Sequence, residues 1–360
     1  MSELPSASLG EVAVEPPPTE ANAAVSGRIL QFDGLRALAF AAVFINHSTH
    51  TPLLWAGVDL FFVLSGFLIT GILLQRKHTG SSYFGQFYRR RAYRILPSYL
   101  LTIVIYGFLS SWQGYKPLWL FLLAPNVQDL RSNGQTLLPL WSLAVEEQFY
   151  LIWPLVVLFT SEKTLLRLSI AAVVFTPVLR MVCAPYMPNH LYIYSLTPFR
   201  ADLLCAGAVL ALLWKQRTPA TAAMIHRWSW PLCLVGFGLF AGTQVWPVFR
   251  LASNSVPANG FVYLFSLLGA TGLLAAVLTS SGWLKRLLSF RPLRYLGEIS
   301  YTMYLIHVVF LVRLQARFGP RLWVNGTGLL LIILYASVSW FLLEKPLIRF
   351  AARRPVLAGI

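Results

Sequence analysis

The sequence predicts an all-α protein, a polytopic integral membrane helix bundle of about ten transmembrane helices with both termini in the cytoplasm. Of its 360 residues 57% are hydrophobic and only 12% are charged, about half the charged fraction of a soluble domain. Apolar runs of about 20 residues, the length that crosses a bilayer, recur along the chain. Most of the 29 Lys and Arg residues fall on one side of these runs, the side that faces the cytoplasm.

The predicted spans fill the middle of the chain and leave no large domain outside the membrane. They are residues 35–55, 57–75, 96–113, 138–160, 166–184, 197–214, 229–247, 260–281, 299–316 and 323–343. The flanks differ in composition. Residues 1–27, rich in Pro, Ala, Ser and Glu, predict a disordered cytoplasmic tail, and residues 347–360 predict a short basic cytoplasmic tail. Residues 28–346 are then the transmembrane domain.

The topology accounts for the formal net charge of +16, so we expect no nucleic acid partner. Only eight basic residues, Arg180 and Arg200 among them, fall on the opposite side. The three cysteines lie in or beside apolar runs without CxxC spacing, which predicts packed thiols rather than a disulfide framework. The six histidines form no HExxH or HxH pattern, so we expect no metal site.

The first predicted span contains "GLRALAFAAVFINH", with Arg36 near its start and His47 at its end. Eleven residues at about 100° each place the two side chains on one helical face, about 16 Å apart along the axis. An arginine at the boundary can extend to the headgroups, whereas a mid-membrane histidine is expected to mark a site. His47 is suited to take a proton near neutral pH or to be acylated itself, and we expect a carboxylate to fix its tautomer.

Other polar residues in the spans are further site candidates. Ser142 and Glu146 of "WSLAVEEQFYLIWPL" are four residues apart and share a helical face. The remaining candidates are Asp59 and Ser65 in "GVDLFFVLSGFLIT", Asp202 in "TPFRADLLCAG", and Tyr301 and His307 in "GEISYTMYLIH". Buried carboxylates and histidines are also typical of a proton-coupled transporter or exporter of an envelope precursor, so these residues alone do not choose between an enzyme and a transporter.

The arginine-rich segment "FYRRRAYRILPSY" contains Arg91 and Arg94. It is explained equally by the cytoplasmic bias of basic residues and by a cytoplasmic phosphate-binding site, because guanidinium groups match phosphate oxygens. Gly66, next to Ser65, indicates either close backbone approach of a ligand or close packing of two helices.

These segments together resemble the acyltransferase-3 family of membrane-bound acyltransferases. The resemblance starts from the Arg-x10-His pattern of "FDGLRALAFAAVFINH". It continues in order through "GVDLFFVLSGFLI", "RRRAYRILPSY", "WSLAVEEQFYLIWP", "FRADLLCAG" and "LGEISYTMYLIH". It covers residues 30 to about 345, and the ten predicted spans match the core of the family.

The resemblance implies a multi-pass enzyme of the bacterial cytoplasmic membrane that transfers an acyl group, usually acetyl, from acetyl-CoA to a hydroxyl of a cell-envelope glycan or lipid-linked acceptor. By position His47 matches the catalytic histidine, Arg36 the signature arginine and Glu146 the acid of the WSL-x-x-E block. Asp59 is expected beside them in catalysis, and Arg91 and Arg94 in donor binding. Some members end in a fused SGNH hydrolase-like domain. We expect none here, so any such partner would be a separate extracytoplasmic acyltransferase.

Overall fold

The structure is a computed structural model that describes residues 29–78, 80, 82–110, 126, 139–216 and 218–353. Apart from Asn126, the predicted loop 114–137 lies outside the described residues, as do the predicted tail 1–27 and the end of the basic tail. The described residues form α-helices and single turns of 3-10 or π-helix, without a β-strand among them. The predicted helical class is therefore confirmed for this part of the chain.

The α-helices follow the predicted spans closely. They are α1 Gln31–Thr49, α2 Ala56–Arg76, α3 Ser82–Ser110, α4 Leu140–Phe159, α5 Glu162–Cys183, α6 His190–Ser195, α7 Ala201–Gln216, α8 Pro219–Gly242, α9 Tyr263–Leu278, α10 Gly282–Leu288, α11 Arg291–Phe318, α12 Leu322–Ser339 and α13 Lys345–Arg353. Each predicted span overlaps one of them, although α3 and α8 begin well before the spans 96–113 and 229–247. Short π-helical turns, Ala258–Val262 and Trp340–Glu344, precede α9 and follow α12.

Six helical segments of the described chain are long and apolar enough to cross a membrane. They are Ala56–Arg76, Leu140–Phe159, Glu162–Tyr186, Ala258–Leu278, Arg291–Phe318 and Leu322–Ala352. The other four predicted spans are helical, but their described residues do not combine the length and hydropathy of these six segments. For example, α7 has 16 residues and is about 24 Å long, short of the roughly 30 Å apolar core of a bilayer. The count of ten crossings stays a prediction.

Two glycines lie where helices of the bundle pack against each other at very short distances. A Cβ on Gly66 of α2 would lie 1.9 Å from the carbonyl oxygen of Leu204 in α7. A Cβ on Gly297 of α11 would lie 1.7 Å from the carbonyl oxygen of Asp33 in α1. Such contacts are possible only without a side chain. Of the two roles considered for Gly66, the structure therefore shows helix packing, which fixes α2 against α7.

Two ion pairs lie in the interior instead of in aqueous loops. Arg200 and Arg180 are both fully buried. Arg200 pairs with Asp59, and Arg180 pairs with Asp202 at 2.7 Å. The predicted side of the membrane for these two arginines stays a prediction. Hydropathy along the chain does not show which carboxylate another helix brings to an arginine.

Candidate active site

A cavity of about 100 Å³ lies between α1, α2, α3, α4 and α11. It contains many of the side chains that the sequence singled out, drawn from segments far apart in the chain. The predicted site residues that line it are Arg36, Ser65, Arg91, Arg94, Ser142, Glu146 and Tyr301. The shared helical face expected for Ser142 and Glu146 is therefore the face that α4 turns toward the cavity.

The cavity has a cationic end formed by α1 and α3. Arg36, Arg91 and Arg94 all line it. Arg36 Nη1 lies 3.3 Å from Asp33 Oδ1, and the guanidinium of Arg91 lies 4.9 Å from the ring centroid of Tyr150. The three guanidinium groups lie near the carboxylates of Asp33 and Glu146, and their planar forks suit a phosphate-bearing ligand.

The middle of the cavity holds the carboxylate of Glu146. Ser65 Oγ on α2 donates a hydrogen bond of 2.6 Å to Glu146 Oε1, and the hydroxyl of Tyr150 donates one of 3.2 Å to Oε2. Both carboxylate oxygens therefore have a donor, and the group is held between α2 and its own helix.

The far end of the cavity is lined by hydroxyl groups. Ser142 Oγ donates to the carbonyl oxygen of Pro139 at 2.7 Å and lies 2.6 Å from the hydroxyl of Tyr304. The Ser142 hydroxyl hydrogen is donated to Pro139, so the Tyr304 hydroxyl is the donor in its hydrogen bond with Ser142 Oγ. Ser142 and Tyr150 are eight residues apart on α4, about 12 Å along the axis, so the cavity runs lengthwise between the arginines and these hydroxyls.

Tyr304 is a site residue that the sequence reasoning missed. It lines the cavity, and its ring centroid lies 5.5 Å from that of His307. A signal was available, because Tyr304 is three residues before His307 and thus on the same side of a helix. Tyr301, which was singled out, also lines the cavity and donates to the carbonyl oxygen of Ile95 at 3.1 Å.

His47 and His307 meet beside this hydroxyl-lined end of the cavity. His307 Nε2 lies 3.3 Å from His47 Nδ1, and the two ring centroids are 5.0 Å apart. His307 is fully buried, whereas His47 is half-buried. Neither residue lines the cavity itself. Tyr304 contacts both the cavity and His307 and so lies between them.

Among the described residues no carboxylate bonds to His47, so the carboxylate partner expected from the sequence is not found there. Within the described chain, the His47 ring bonds to the carbonyl oxygen of Val43 at 2.9 Å and to His307. Asp59 and Asp202 instead form the buried pairs with Arg200 and Arg180. Neither aspartate lines the cavity, so their positions support a structural role and give no support to a catalytic role for Asp59.

Helix α11 explains how residues so distant in sequence meet. Gly297 lets α11 approach Asp33 near the start of α1, and His307 contacts His47 near the end of α1. The two helices therefore run side by side in the same direction. Arg36 reaches the cavity that α11 also lines, while His47, three turns further along α1, reaches His307.

Three arginines line the cavity, a histidine pair lies beside it, and long apolar helices surround both. The family model described as an acyltransferase domain, that of the acyltransferase-3 family, matches residues 29–343. The chain therefore belongs to the acyltransferase-3 family, and the resemblance drawn from its motifs is confirmed.

Curated relatives are named as O-acetyltransferases. The chain is 31% identical to the putative peptidoglycan O-acetyltransferase YrhL of Bacillus subtilis, in a match that covers 88% of this chain and 54% of the relative. It is 30% identical to the peptidoglycan O-acetyltransferase OatA of Listeria monocytogenes, with 88% and 55% covered. A putative O-acetyltransferase of Staphylococcus aureus is 27% identical, with 87% and 56% covered.

The chain thus spans about half the length of the curated relatives it matches. No solved structure matches it.

Proposed function

We propose that this protein is a membrane O-acyltransferase that moves an acetyl group from acetyl-CoA to a hydroxyl of a cell-envelope glycan. Membership of the acyltransferase-3 family supports acyl transfer, and the names of the relatives support acetyl as the acyl group and a glycan as the acceptor. In this proposal the enzyme crosses the bacterial cytoplasmic membrane ten times, with both termini in the cytoplasm.

The donor binds at the cationic end of the cavity. Arg36, Arg91 and Arg94 face the phosphates of coenzyme A, since guanidinium groups form charge-assisted bonds to phosphate oxygens. The acyl-pantetheine arm follows the cavity past Glu146 toward Ser142 and Tyr304. The separation of Arg36 and His47 along α1 then corresponds to the distance between the phosphates and the thioester.

The reaction takes place at His47. Its ring removes the proton from the acceptor hydroxyl, and the oxygen attacks the thioester carbonyl. A carbon–oxygen bond forms, the carbon–sulfur bond breaks, and the proton passes from His47 to the departing thiolate. Transfer through an acylated His47 uses the same residues in two steps.

The acceptor approaches from the end of α1 that holds His47. The names of two relatives favour peptidoglycan, and an O-antigen, an exopolysaccharide or a lipid-linked intermediate presents the same kind of hydroxyl. Where such an acceptor lies beyond reach of the membrane, a separate extracytoplasmic acyltransferase would complete the transfer.

The observation that carries the proposal is the placement of His47 beside a cavity whose opposite end bears three arginines, in a chain of this family. The test compares envelope and secreted glycans from a deletion strain with those from the strain restored by wild type or by His47→Ala. Mass spectrometry and proton NMR should show an acetyl signal that only the wild-type gene restores.

An unchanged acetyl profile in all three strains would contradict glycan acetylation. The same strains separate the transporter alternative, because a transporter would change the amount of glycan outside the cell without changing its acetyl content. Membranes that contain a transporter would also neither hydrolyse labelled acetyl-CoA nor transfer its acetyl group to an acceptor.

A further inference from the structure

We propose that His307 is a positioning residue that, together with the Val43 carbonyl, holds His47 in a single tautomer, with Nδ1 protonated and Nε2 free to take a proton. The tautomer follows from the local geometry alone. The use of the free nitrogen in acyl transfer rests on the proposed function. His307 touches neither the cavity nor, in this account, the reacting atoms, and it acts through His47.

The direction of the hydrogen bonds is set by two backbone carbonyls. His47 Nδ1 lies 2.9 Å from the carbonyl oxygen of Val43, and His307 Nδ1 lies 2.7 Å from the carbonyl oxygen of Tyr304. A carbonyl oxygen only accepts, so each Nδ1 must carry a hydrogen. A neutral imidazole has one donor and one acceptor nitrogen, and Nε2 of each neutral ring is therefore unprotonated.

His307 is in the neutral form because its surroundings offer no counter-charge. It is fully buried, and the ring centroids of Phe40 and Tyr304 lie 5.8 Å and 5.5 Å from its own. Within the described residues no carboxylate bonds to it. An unpaired charge in such a place carries a large desolvation cost. The lone pair of His307 Nε2 therefore points at His47 Nδ1, 3.3 Å away.

The alternative assignment fails at both ends of the pair. If His307 Nε2 donated to His47 Nδ1, the Nδ1 lone pairs of both rings would face carbonyl oxygens at 2.7 and 2.9 Å. In the assignment proposed here the Nδ1 hydrogen of His47 is shared between the Val43 carbonyl and His307, a three-centre bond of a common kind. Every contact then pairs one donor with an acceptor.

Two consequences follow for the chemistry of His47. Among the described residues no group bonds to its Nε2, and the ring is not fully buried, so a hydroxyl can reach it. When that nitrogen takes a proton, the new charge is faced by the His307 lone pair and the Val43 carbonyl. In this site an acceptor histidine takes the position where a carboxylate was expected from the sequence.

The test reads the tautomer directly by nitrogen-15 NMR of the full-length protein labelled at histidine and held in bilayers. The His47 signals are assigned by their loss in His47→Ala. We expect wild type to show a protonated Nδ1 and an unprotonated Nε2. His307→Phe, which keeps a ring but leaves the Val43 carbonyl as the remaining acceptor of the Nδ1 hydrogen, should weaken the preference and raise the share of His47 protonated at Nε2 above its wild-type level. His307→Gln, whose side-chain oxygen accepts a hydrogen bond, should restore the wild-type form, and His226→Phe, at an exposed histidine of α8, should change nothing.

The activity of the same variants tests the use of the tautomer. His307→Phe should lower kcat with acetyl-CoA about 100-fold, the loss expected when a reacting group is poorly oriented, while KM for acetyl-CoA stays near its wild-type value. His307→Gln should recover most of kcat. A structural role alone would not distinguish Gln from Phe in this order.

Two results would overturn the proposal: a wild-type His47 with protonated Nε2, or an unchanged His47 tautomer in His307→Phe. Should that variant fail to accumulate, the wild-type spectrum and His307→Gln still decide. If wild type transfers no acetyl from acetyl-CoA while the spectra match expectation, the proposed function fails and the positioning of His47 stands.

Discussion

Ser65 Oγ donates a hydrogen bond of 2.6 Å to Glu146 Oε1, which joins α2 to α4 midway along the cavity. The residues are 81 positions apart, and each comes from a segment that the sequence singled out. Glu146 is thereby held between the three arginines on one side and the Ser142–Tyr304 pair on the other. The acyl-pantetheine arm in the proposed function passes this carboxylate.

Removing either partner of this bond should impair transfer without unfolding the protein. Ser65→Ala leaves a buried carboxylate oxygen without its donor, at a cost of about 1–3 kcal/mol. Because the acyl-pantetheine arm passes this carboxylate in the complex with acetyl-CoA, we expect about a 10-fold fall in kcat/KM. Glu146→Gln removes the charge beside the arginines and should have a larger effect. Initial rates with labelled acetyl-CoA check both. Glu162→Gln is the matched control, because Glu162 forms a half-exposed ion pair with Lys215. An equal loss of transfer rate in Glu162→Gln would contradict a specific role for Glu146.

The arginine end of the cavity should control donor affinity. Arg91→Gln and Arg94→Gln are expected to raise KM for acetyl-CoA about 10-fold each, since a charge-assisted bond contributes about 1.5–3 kcal/mol, while kcat changes little. Arg→Lys at these positions should recover only part of the affinity, because lysine lacks the planar fork. Arg167→Gln, at an exposed arginine of α5, should leave KM unchanged. An unchanged KM in both cavity variants would place the donor elsewhere.

The Asp59–Arg200 pair should matter for folding rather than for proton transfer. Both side chains are fully buried, and the Arg200 guanidinium lies 5.0 to 5.9 Å from the ring centroids of Tyr263 and Trp55. Asp59→Ala leaves a buried cation unpaired, and we expect a loss of about 3–5 kcal/mol, seen as a lower Tm of purified protein. The double variant Asp59→Leu with Arg200→Met should recover stability. Asp59→Ala with a normal Tm and no activity would restore the catalytic assignment.

Helix packing at Gly66 should be sensitive to a single methyl group. Gly66→Ala brings a Cβ to 1.9 Å from the Leu204 carbonyl oxygen, and α2 and α7 must separate to admit it. Overpacking of this kind costs about 1–3 kcal/mol, so Tm should fall, and activity with it because Ser65 is adjacent. Gly71→Ala on the same helix meets nothing within 4 Å and should raise or preserve Tm. Equal Tm values for the two variants would contradict the described packing of α2.

The parts of the fold that depend on local pattern were predictable from the sequence. Each predicted span overlaps a helix because apolar runs of this length are helical in a membrane. The common side of Ser142 and Glu146 followed from the helical period alone. Arg36, Arg91 and Arg94 could be proposed as one site because they lie at the same predicted side of the membrane.

Contacts between helices could not be predicted in this way. His47 and His307 are 260 residues apart, and no spacing rule connects them. A carboxylate was the expected partner of His47 on general chemical grounds. The nearby aspartate, Asp59, is instead taken by Arg200, whose burial the hydropathy pattern could not reveal. Which carboxylate meets which cation depends on how α2, α5 and α7 pack, and that information is not local.

The central claim is that His47 carries out acyl transfer, and labelled acetyl-CoA tests it most directly. Washed membranes containing equal amounts of wild type, His47→Ala or the control His226→Ala are incubated with acetyl-labelled acetyl-CoA and a glycan acceptor. We expect wild type and His226→Ala to transfer the label at the same rate, and transfer by His47→Ala to fall to the level of membranes without the protein. Transfer at the wild-type rate by an abundant, correctly inserted His47→Ala would contradict it.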